Sequence, residues 1–157
     1  MRSNKWMKYL NDVSYKDCVG EVCKSKLSGD FKILKYNGAT DVEIQFINTG
    51  FETIATLGNI KSGLIKDPYS PSVYGIGVLG TKYPSTINGV KTKEYALWKG
   101  MLKRCYSDKY QKKYPTYEGC EVSENFKYYE YFYEWCHKQI GFVVMIITCL
   151  IMTKVGE

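Results

Sequence analysis

The sequence predicts an α+β protein in which a small N-terminal antiparallel β module precedes a helical region. Two hydrophobic periods indicate this order. Apolar and polar residues alternate from Asp30 to Phe46, as in half-buried strands, whereas from Lys93 onward apolar residues recur every three or four positions, as in amphipathic helices. A length of 157 residues with 45% hydrophobic content suffices for a buried core, which excludes disordered and collagen-like classes.

The β module is predicted over residues 1–85. Two alternating segments, 31–36 and 42–46, flank Asn37-Gly38, which predicts a hairpin with a loop of about four or five residues. A third strand is expected from Phe51 to Leu57. Regular structure is then interrupted by turns rich in glycine and proline, and the Gly-x-Gly-x-x-Gly pattern of residues 75–80 predicts a turn because no strand precedes it and no helix follows.

The helical region is predicted over residues 86–141. Its first helix spans about Lys93 to Tyr106 and has one apolar and one basic face. After a loop containing Pro115 and Gly119, a second helix is expected from Glu124 to about Ile140. Ser123 is the predicted N-cap of this helix, and Gly141 is its predicted stop.

Residues 142–157 form a third, atypical segment. Its apolar run from Phe142 to Met152 is eleven residues long, whereas a membrane span needs about twenty. The run therefore predicts a buried strand or helix and argues against a membrane partner. A membrane-dipping anchor and a reading-frame shift near the end of the gene are the alternatives.

The cysteines and the start of the sequence indicate the cellular compartment and whether a standard zinc module is present. The six cysteines form no Cys-x-x-Cys pair, and the single histidine, His137, completes no standard zinc module. No cationic, apolar, cleavable leader opens the sequence. We therefore expect a reducing cytoplasm, which is the host cytoplasm if the gene is carried by a phage.

Positive charge and aromatic rings are concentrated in the same part of the sequence. The formal net charge is +6, and the window from Lys91 to Glu118 contains eight basic and three acidic residues. Fourteen of the twenty-four aromatic residues lie between Tyr83 and Trp135. Such a cluster is either a solvated basic face of a helix or a surface that contacts nucleic-acid phosphates, and composition alone favours the solvated face. The candidate DNA-binding residues are Lys91, Lys93, Lys99, Lys103, Arg104, Lys109, Lys112 and Lys113, with Lys61 and Lys66 beside the turn at Gly63.

The helical region resembles a known family over about residues 91–140. The resemblance rests on KEYALWKGMLKRCY from Lys93 to Tyr106, YPTYEGCEVSENF from Tyr114 to Phe126, and YYEYFYEW from Tyr128 to Trp135. These segments are similar to the helical core of phage-encoded HNH-type proteins, a group that includes homing endonucleases. Upstream, the segments at residues 48–51 and 59–68 resemble a β module often fused to such proteins.

The resemblance implies a protein that binds double-stranded DNA. In the family, acidic and polar residues after the tryptophan-containing helix hold a divalent cation. Here those positions are occupied by Phe142 to Met152, which contain no Asp, Glu, His or Asn. Hydrolysis of a phosphodiester in this way needs oxygen or imidazole ligands for the metal and a base for water. We therefore expect a truncated or frameshifted relative without an intact catalytic centre, with no metal ligands and no small-molecule cofactor.

Two alternatives remain open at this point. One is an active endonuclease that uses Mg²⁺ or another divalent cation, and the other is a membrane-associated or interaction protein that uses the apolar tail. His137 is expected to be a surface residue, because no carboxylate at helical spacing orients it. Glu130 and Glu134 share a helix face suited to a cation, but are expected to be solvated partners of Lys127 and Lys138.

Overall fold

The computed structural model describes residues 18–139 and 152–154. These residues belong to two compact units, unit 1 at Met1–Asp67 and unit 2 at Pro68–Glu157. The boundary lies between Asp67 and Pro68 instead of at residue 85, because residues 73–83 pack against the core of the helical unit. The predicted α+β class, with an antiparallel sheet followed by helices, is confirmed.

Over its described residues, 18–67, unit 1 contains a four-stranded antiparallel sheet and a short helix. The strands are paired in the order in which they occur along the chain. Their bounds are β1 Val22–Ser25, β2 Gly29–Gly38, β3 Asp41–Phe46 and β4 Glu52–Ala55, and α1 follows at Leu57–Ser62.

The hydrophobic alternation of β2 and β3 produces the core of unit 1. Phe31 and Ile33 from β2 are buried together with Val42, Ile44 and Phe46 from β3. Successive side chains of a strand point to opposite faces, so these buried residues share one face of the sheet. The period-two prediction for this segment is confirmed.

The connection between β2 and β3 is shorter than predicted. Gly38 pairs with Asp41, so only Ala39 and Thr40 lie between the strands, and the expected loop of four or five residues is wrong. The pairing of β2 with β3 has two register shifts, one of them between Tyr36 and Gly38, and it continues past Asn37 as far as Gly38. These two residues are therefore part of the strand instead of the turn.

Helix α1 is not predicted from the sequence. Thr56 caps its start by accepting a hydrogen bond from the Asn59 backbone N–H at 3.2 Å, and Gly63 ends it with a φ of 68°. A left-handed glycine is a common helix terminator. The helix is six residues long and buries only Ile60, so it is too short to show a helical period.

The described residues of unit 2, 68–139 and 152–154, form three α-helices, two 3₁₀ turns and two small β ladders. The hairpin strands are β5 Thr86–Ile87 and β6 Val90–Lys91. The helices are α2 Lys93–Tyr106, α3 Asp108–Lys113 and α4 Tyr129–Lys138, and the 3₁₀ turns are Pro115–Tyr117 and Glu124–Lys127. Strand β7 Cys120–Val122 pairs with β8 Met152–Lys154.

Helix α2 has the predicted bounds and the predicted apolar face. Thr92 caps it through a hydrogen bond from the Tyr95 backbone N–H at 3.3 Å. Its buried residues meet those of α4 and β7 in one core, which contains Trp98, Met101, Leu102, Cys105, Cys120, Val122, Tyr129, Phe132 and Cys136.

Residues 75–80 form a turn, as the sequence predicts. Tyr74 and Gly75 both have positive φ, and the Gly77 backbone N–H donates to the Val73 carbonyl at 2.9 Å. Gly77 lies directly against the Trp98 and Leu102 side chains, so a β-carbon at this position would overlap with both. The glycine is therefore required for packing.

The second predicted helix is divided into a 3₁₀ turn and α4. Val78 makes a parallel bridge with Tyr128, in which the Val78 N–H donates to Lys127 O and the Tyr129 N–H donates to Val78 O, each at 2.9 Å. These backbone groups are therefore unavailable to a continuous helix. Ser123 is the N-cap residue of the 3₁₀ turn, as predicted by position, but its side chain makes no capping hydrogen bond.

Most of the apolar segment at residues 142–157 lies outside the described residues, as does the predicted stop at Gly141. Its described part, β8, is a strand that continues the ladder of β7. In the described part of the chain, no helix combines the length and apolar character needed to cross a membrane.

Candidate nucleic-acid interface

The basic face of α2 lies opposite its buried residues. Lys103 is exposed, and Lys99 and Arg104 are half-buried on the side away from Trp98. Lys93, at the first position of the helix, is exposed as well. The predicted two-faced helix is therefore confirmed as a structural feature.

Residues 108–113, which lie between the two predicted helices, form helix α3. The Tyr110 and Gln111 backbone N–H groups donate to the Ser107 carbonyl at 2.8 and 2.9 Å. The Gln111 side-chain amide also donates to the Cys105 carbonyl at 2.6 Å, which fixes α3 to the end of α2. This arrangement joins the cations of the two helices into one surface. We define the α2–α3 basic surface as Lys99, Lys103, Arg104, Lys109, Lys112 and Lys113.

Tyrosine rings of α3 and the following turn lie beneath two of these cations. The Tyr110 ring centre is 4.7 Å from that of Tyr114 and 5.9 Å from that of Tyr117. Lys103 Nζ lies 4.8 Å from the Tyr110 ring centre, and Lys113 Nζ lies 5.3 Å from that of Tyr114. These cation–π contacts hold the lysine stems while leaving the ammonium groups accessible.

The cations of this surface differ from other lysines in their partners. Within residues 18–139, no member of the α2–α3 basic surface forms an ion pair with a carboxylate, and neither does Lys91 on β6. Elsewhere in the chain, lysines are paired with acids: Lys35 with Glu43, Lys82 with Glu134 and Lys127 with Glu124. The charge of the α2–α3 basic surface is therefore largely available to an external anion.

Two acidic residues lie close to one edge of this surface. Asp108 and Glu118 line a cavity of about 270 Å³ together with Gln111, Lys112 and Pro115. They lower the positive potential around Lys112 without forming an ion pair with it. We therefore expect the strongest anion attraction along α2.

The two remaining predicted residues, Lys61 and Lys66, belong to unit 1. Lys61 is in the last turn of α1, and Lys66 is exposed four residues after its end. Lys26 lies beside the same turn, and its backbone N–H donates to the Gly63 carbonyl at 2.9 Å. The sequence does not indicate this proximity, because the pairing is long-range and leaves no local pattern.

His137 has a carboxylate partner that the sequence did not reveal. Its Nε2 lies 3.0 Å from Glu94 Oε1, and its ring packs on Tyr133 with the ring centres 4.4 Å apart. Glu94 comes from the first turn of α2, so helical spacing within α4 gives no sign of it. The expected exposure of His137 is confirmed, and its carboxylate partner comes from another helix instead of from helical spacing within α4.

Glu130 and Glu134 hold the loop that precedes β5. Glu130 Oε1 accepts hydrogen bonds from the backbone N–H groups of Thr81 and Lys82, both at 2.8 Å. Glu134 forms an ion pair with Lys82 and accepts a hydrogen bond from the Tyr83 hydroxyl at 3.1 Å.

The Lys82 ammonium lowers the pKa of the Glu134 carboxyl, chiefly by hydrogen bonding. The expected partner of these acids, Lys127, instead pairs with Glu124 at 2.7 Å. No group of three or more His, Cys, Asp or Glu residues in the described part of the chain is placed to hold a metal ion.

The buried thiols are poor nucleophiles. Burial raises the pKa of Cys105 to about 11 and that of Cys136 to about 12, so both remain protonated at neutral pH. Both residues are part of the unit 2 core. Their role is packing.

Comparison with known proteins gives no relative. No protein family, no curated protein and no solved structure matches the chain significantly.

Proposed function

We propose that this protein binds double-stranded DNA through phosphate contacts made by the α2–α3 basic surface. The observation that carries the proposal is the set of cations on two joined helices that have no carboxylate partner within residues 18–139. Such cations release condensed counterions when they meet phosphates, and this release provides sequence-independent affinity.

The local scaffold supports the same function. Helix α2 is fixed by the burial of Trp98, and α3 is held to its end by Gln111, so the cations are carried by well-anchored backbone. Lys103 and Lys113 rest on tyrosine rings, which reduces the side-chain entropy lost on binding. The resemblance of residues 91–140 to phage HNH-type proteins favours DNA over other polyanions.

The test is duplex binding measured by fluorescence anisotropy over a series of salt concentrations. Each neutralised phosphate contributes about 0.9 to the slope of log affinity against log salt. Replacing Lys103, Arg104, Lys112 and Lys113 by Gln is expected to weaken binding and to reduce that slope by about 3 to 4.

A variant with the same charge change elsewhere provides the control. Lys32, Lys35, Lys127 and Lys138 are replaced by Gln in this variant, which lowers the net charge by four without altering the α2–α3 basic surface. Two of these lysines, Lys35 and Lys127, already have carboxylate partners. Equal losses of affinity and slope in the two variants would contradict the proposal, because the surface would then contribute only its share of the net charge.

A plasmid assay separates binding from catalysis. Supercoiled plasmid incubated with the full chain and Mg²⁺ is expected to remain supercoiled if the protein only binds. Nicking that is abolished by a chelator would replace this proposal with a metal-dependent endonuclease.

A further inference from the structure

The β5–β6 hairpin exposes two aliphatic side chains at its tip. Ile87 is 56% exposed and Val90 is 70% exposed, and the two residues are paired across the strands. Between them, Asn88 and Gly89 have φ values of 50° and 78°, as in a type I′ turn. The hairpin tip therefore consists of the Asn88-Gly89 turn and the aliphatic pair directly beside it.

The base of this hairpin is fixed to the core of unit 2. The Thr92 backbone N–H donates to the Ser85 carbonyl at 3.1 Å, which closes the hairpin immediately before α2. The hydroxyl of the fully buried Tyr129 lies 3.0 Å from Thr92 Oγ1 and donates to the Pro84 carbonyl at 3.2 Å. The apolar tip thus projects from a rigid base.

The charges around the tip favour a polyanion as its partner. No acidic residue occurs between Asp67 and Glu94, whereas Lys91 lies on β6 and Lys93 begins α2. Two aliphatic side chains fall far short of the about 800 Å² per partner that a stable protein–protein interface buries. Small apolar wedges flanked by cations are instead typical of proteins that kink DNA.

We propose that the tip of the β5–β6 hairpin is a wedge that inserts Ile87 and Val90 at a base step and bends the duplex. This inference rests on the proposed function and adds to it a deformation of the bound DNA. Lys91 and Lys93 contact the phosphates beside the insertion, and the bend brings more of the backbone within reach of the α2–α3 basic surface.

Bending is measured on a duplex of about 30 base pairs, or three helical turns, with donor and acceptor dyes at its ends. A central TpA step provides an easily kinked site, and 2-aminopurine beside it reports unstacking. The full-length protein is expected to raise both energy transfer and 2-aminopurine fluorescence. The Ile87→Ser/Val90→Ser variant is expected to bind about tenfold more weakly, with neither signal and with a smaller salt slope, because an unbent duplex presents fewer phosphates to the α2–α3 basic surface.

The matched controls are single substitutions of equally exposed aliphatic residues. Val90→Ser is compared with Ile54→Ser, because Ile54 on β4 is 65% exposed. Ile54→Ser is expected to bend DNA as the unmodified protein does, and Val90→Ser to bend it less. The single variant also serves if the double variant does not fold.

Unmodified protein that binds without bending DNA, or a Val90→Ser variant that bends DNA fully, overturns the wedge proposal alone. Failure of the unmodified protein to bind duplex overturns the proposed function as well.

Discussion

The two units achieve stability in different ways. Unit 1 is stabilised by strand pairing and by a small core of aliphatic and phenylalanine side chains. The regular hydrogen bonds of the sheet pair the backbone N–H and C=O groups of its strands. Unit 2 has more irregular backbone, and single polar atoms of large side chains hold its loops. The Trp98 indole donates to the Phe126 carbonyl at 2.8 Å, and Tyr129, Gln111 and Glu130 make similar contacts.

This difference determines where each unit is sensitive. A sheet distributes its stability over many equivalent backbone bonds, whereas a loop held by one side chain is released when that side chain is lost. Because the α2–α3 basic surface belongs to unit 2, its geometry depends on a few aromatic and polar anchors. The substitutions below test this comparison.

The largest loss of stability is expected for Trp98→Ala. The side chain is completely buried between α2 and α4, and its removal leaves both a cavity and an unpaired Phe126 carbonyl. We expect the free energy of unfolding to fall by about 3–5 kcal/mol, as measured by urea denaturation. Trp98→Phe separates the two causes, because it retains much of the volume and loses only the hydrogen bond. A loss under about 1 kcal/mol for Trp98→Ala would contradict this role of the indole.

A smaller loss is expected for Gly77→Ala. The new methyl group would overlap with Trp98 and Leu102, which are both completely buried and have little room to move. Overpacking of this kind costs about 1–3 kcal/mol, measurable as a lowered denaturation midpoint. Gly38→Ala in unit 1 is the control, because nothing lies within 4 Å of its added β-carbon. Equal effects of the two substitutions would refute the packing argument.

Alkaline pH is expected to weaken unit 2. Burial raises the pKa of Cys105 to about 11 and that of Cys136 to about 12, and it also raises the pKa values of Tyr95 and Tyr129. Well below the ordinary thiol pKa of about 9, these groups are neutral in both the folded and the unfolded chain. Above pH 9 the unfolded thiols ionise first, so stability is lost as the pH rises towards the folded values, by about 1 kcal/mol per thiol at pH 10.

Thermal unfolding measured between pH 8 and pH 10.5 checks this dependence. The Cys136→Ala variant is the control, because it removes the thiol with the largest shift. Its melting temperature is expected to decline less steeply with pH. A melting temperature that is constant over this range in the unmodified protein would show that the thiols are not protected by burial.

The smallest effect, and the only gain, is expected for Gly100→Ala. Gly100 lies within α2 on the side of the basic face, and an added β-carbon meets no atom within 4 Å. Alanine in a helix interior is more stable than glycine by about 1 kcal/mol, so the denaturation midpoint should rise. DNA affinity is expected to stay within about threefold of the original if phosphates are contacted by the longer side chains. A drop beyond that would indicate that DNA approaches the α2 backbone itself.

Local sequence patterns predict the long elements well. Helix α2 is predictable because its fourteen residues carry four buried positions at helical spacing and a threonine cap. The β2–β3 pair is predictable because its alternation extends over most of both strands. In each case the information lies within the element.

Elements that depend on distant partners are not predictable in this way. The start of α4 is set by the bridge between Val78 and Tyr128, and the loop before β5 is set by Glu130, which lies 49 residues from Thr81. The β5–β6 hairpin is not predicted either, although Asn88-Gly89 provides the same turn signal as Asn37-Gly38. Its strands are two residues long and exposed, so no alternation marks them.

For the candidate site, sequence reasoning identifies the cations but not their environment. The basic residues of α2 follow from the helical period, whereas the tyrosine beneath Lys103 depends on how α3 folds back on α2. Likewise, Glu94 beside His137 becomes visible only when the start of α2 and the end of α4 are both placed.

The most direct test of the account is the salt dependence of duplex DNA binding by the full-length protein. If the six residues of the α2–α3 basic surface neutralise phosphates, log affinity should fall linearly with log salt, with a slope of about −5. Undetectable binding at low salt, or an affinity that does not change with salt, would contradict the claim that this surface binds DNA.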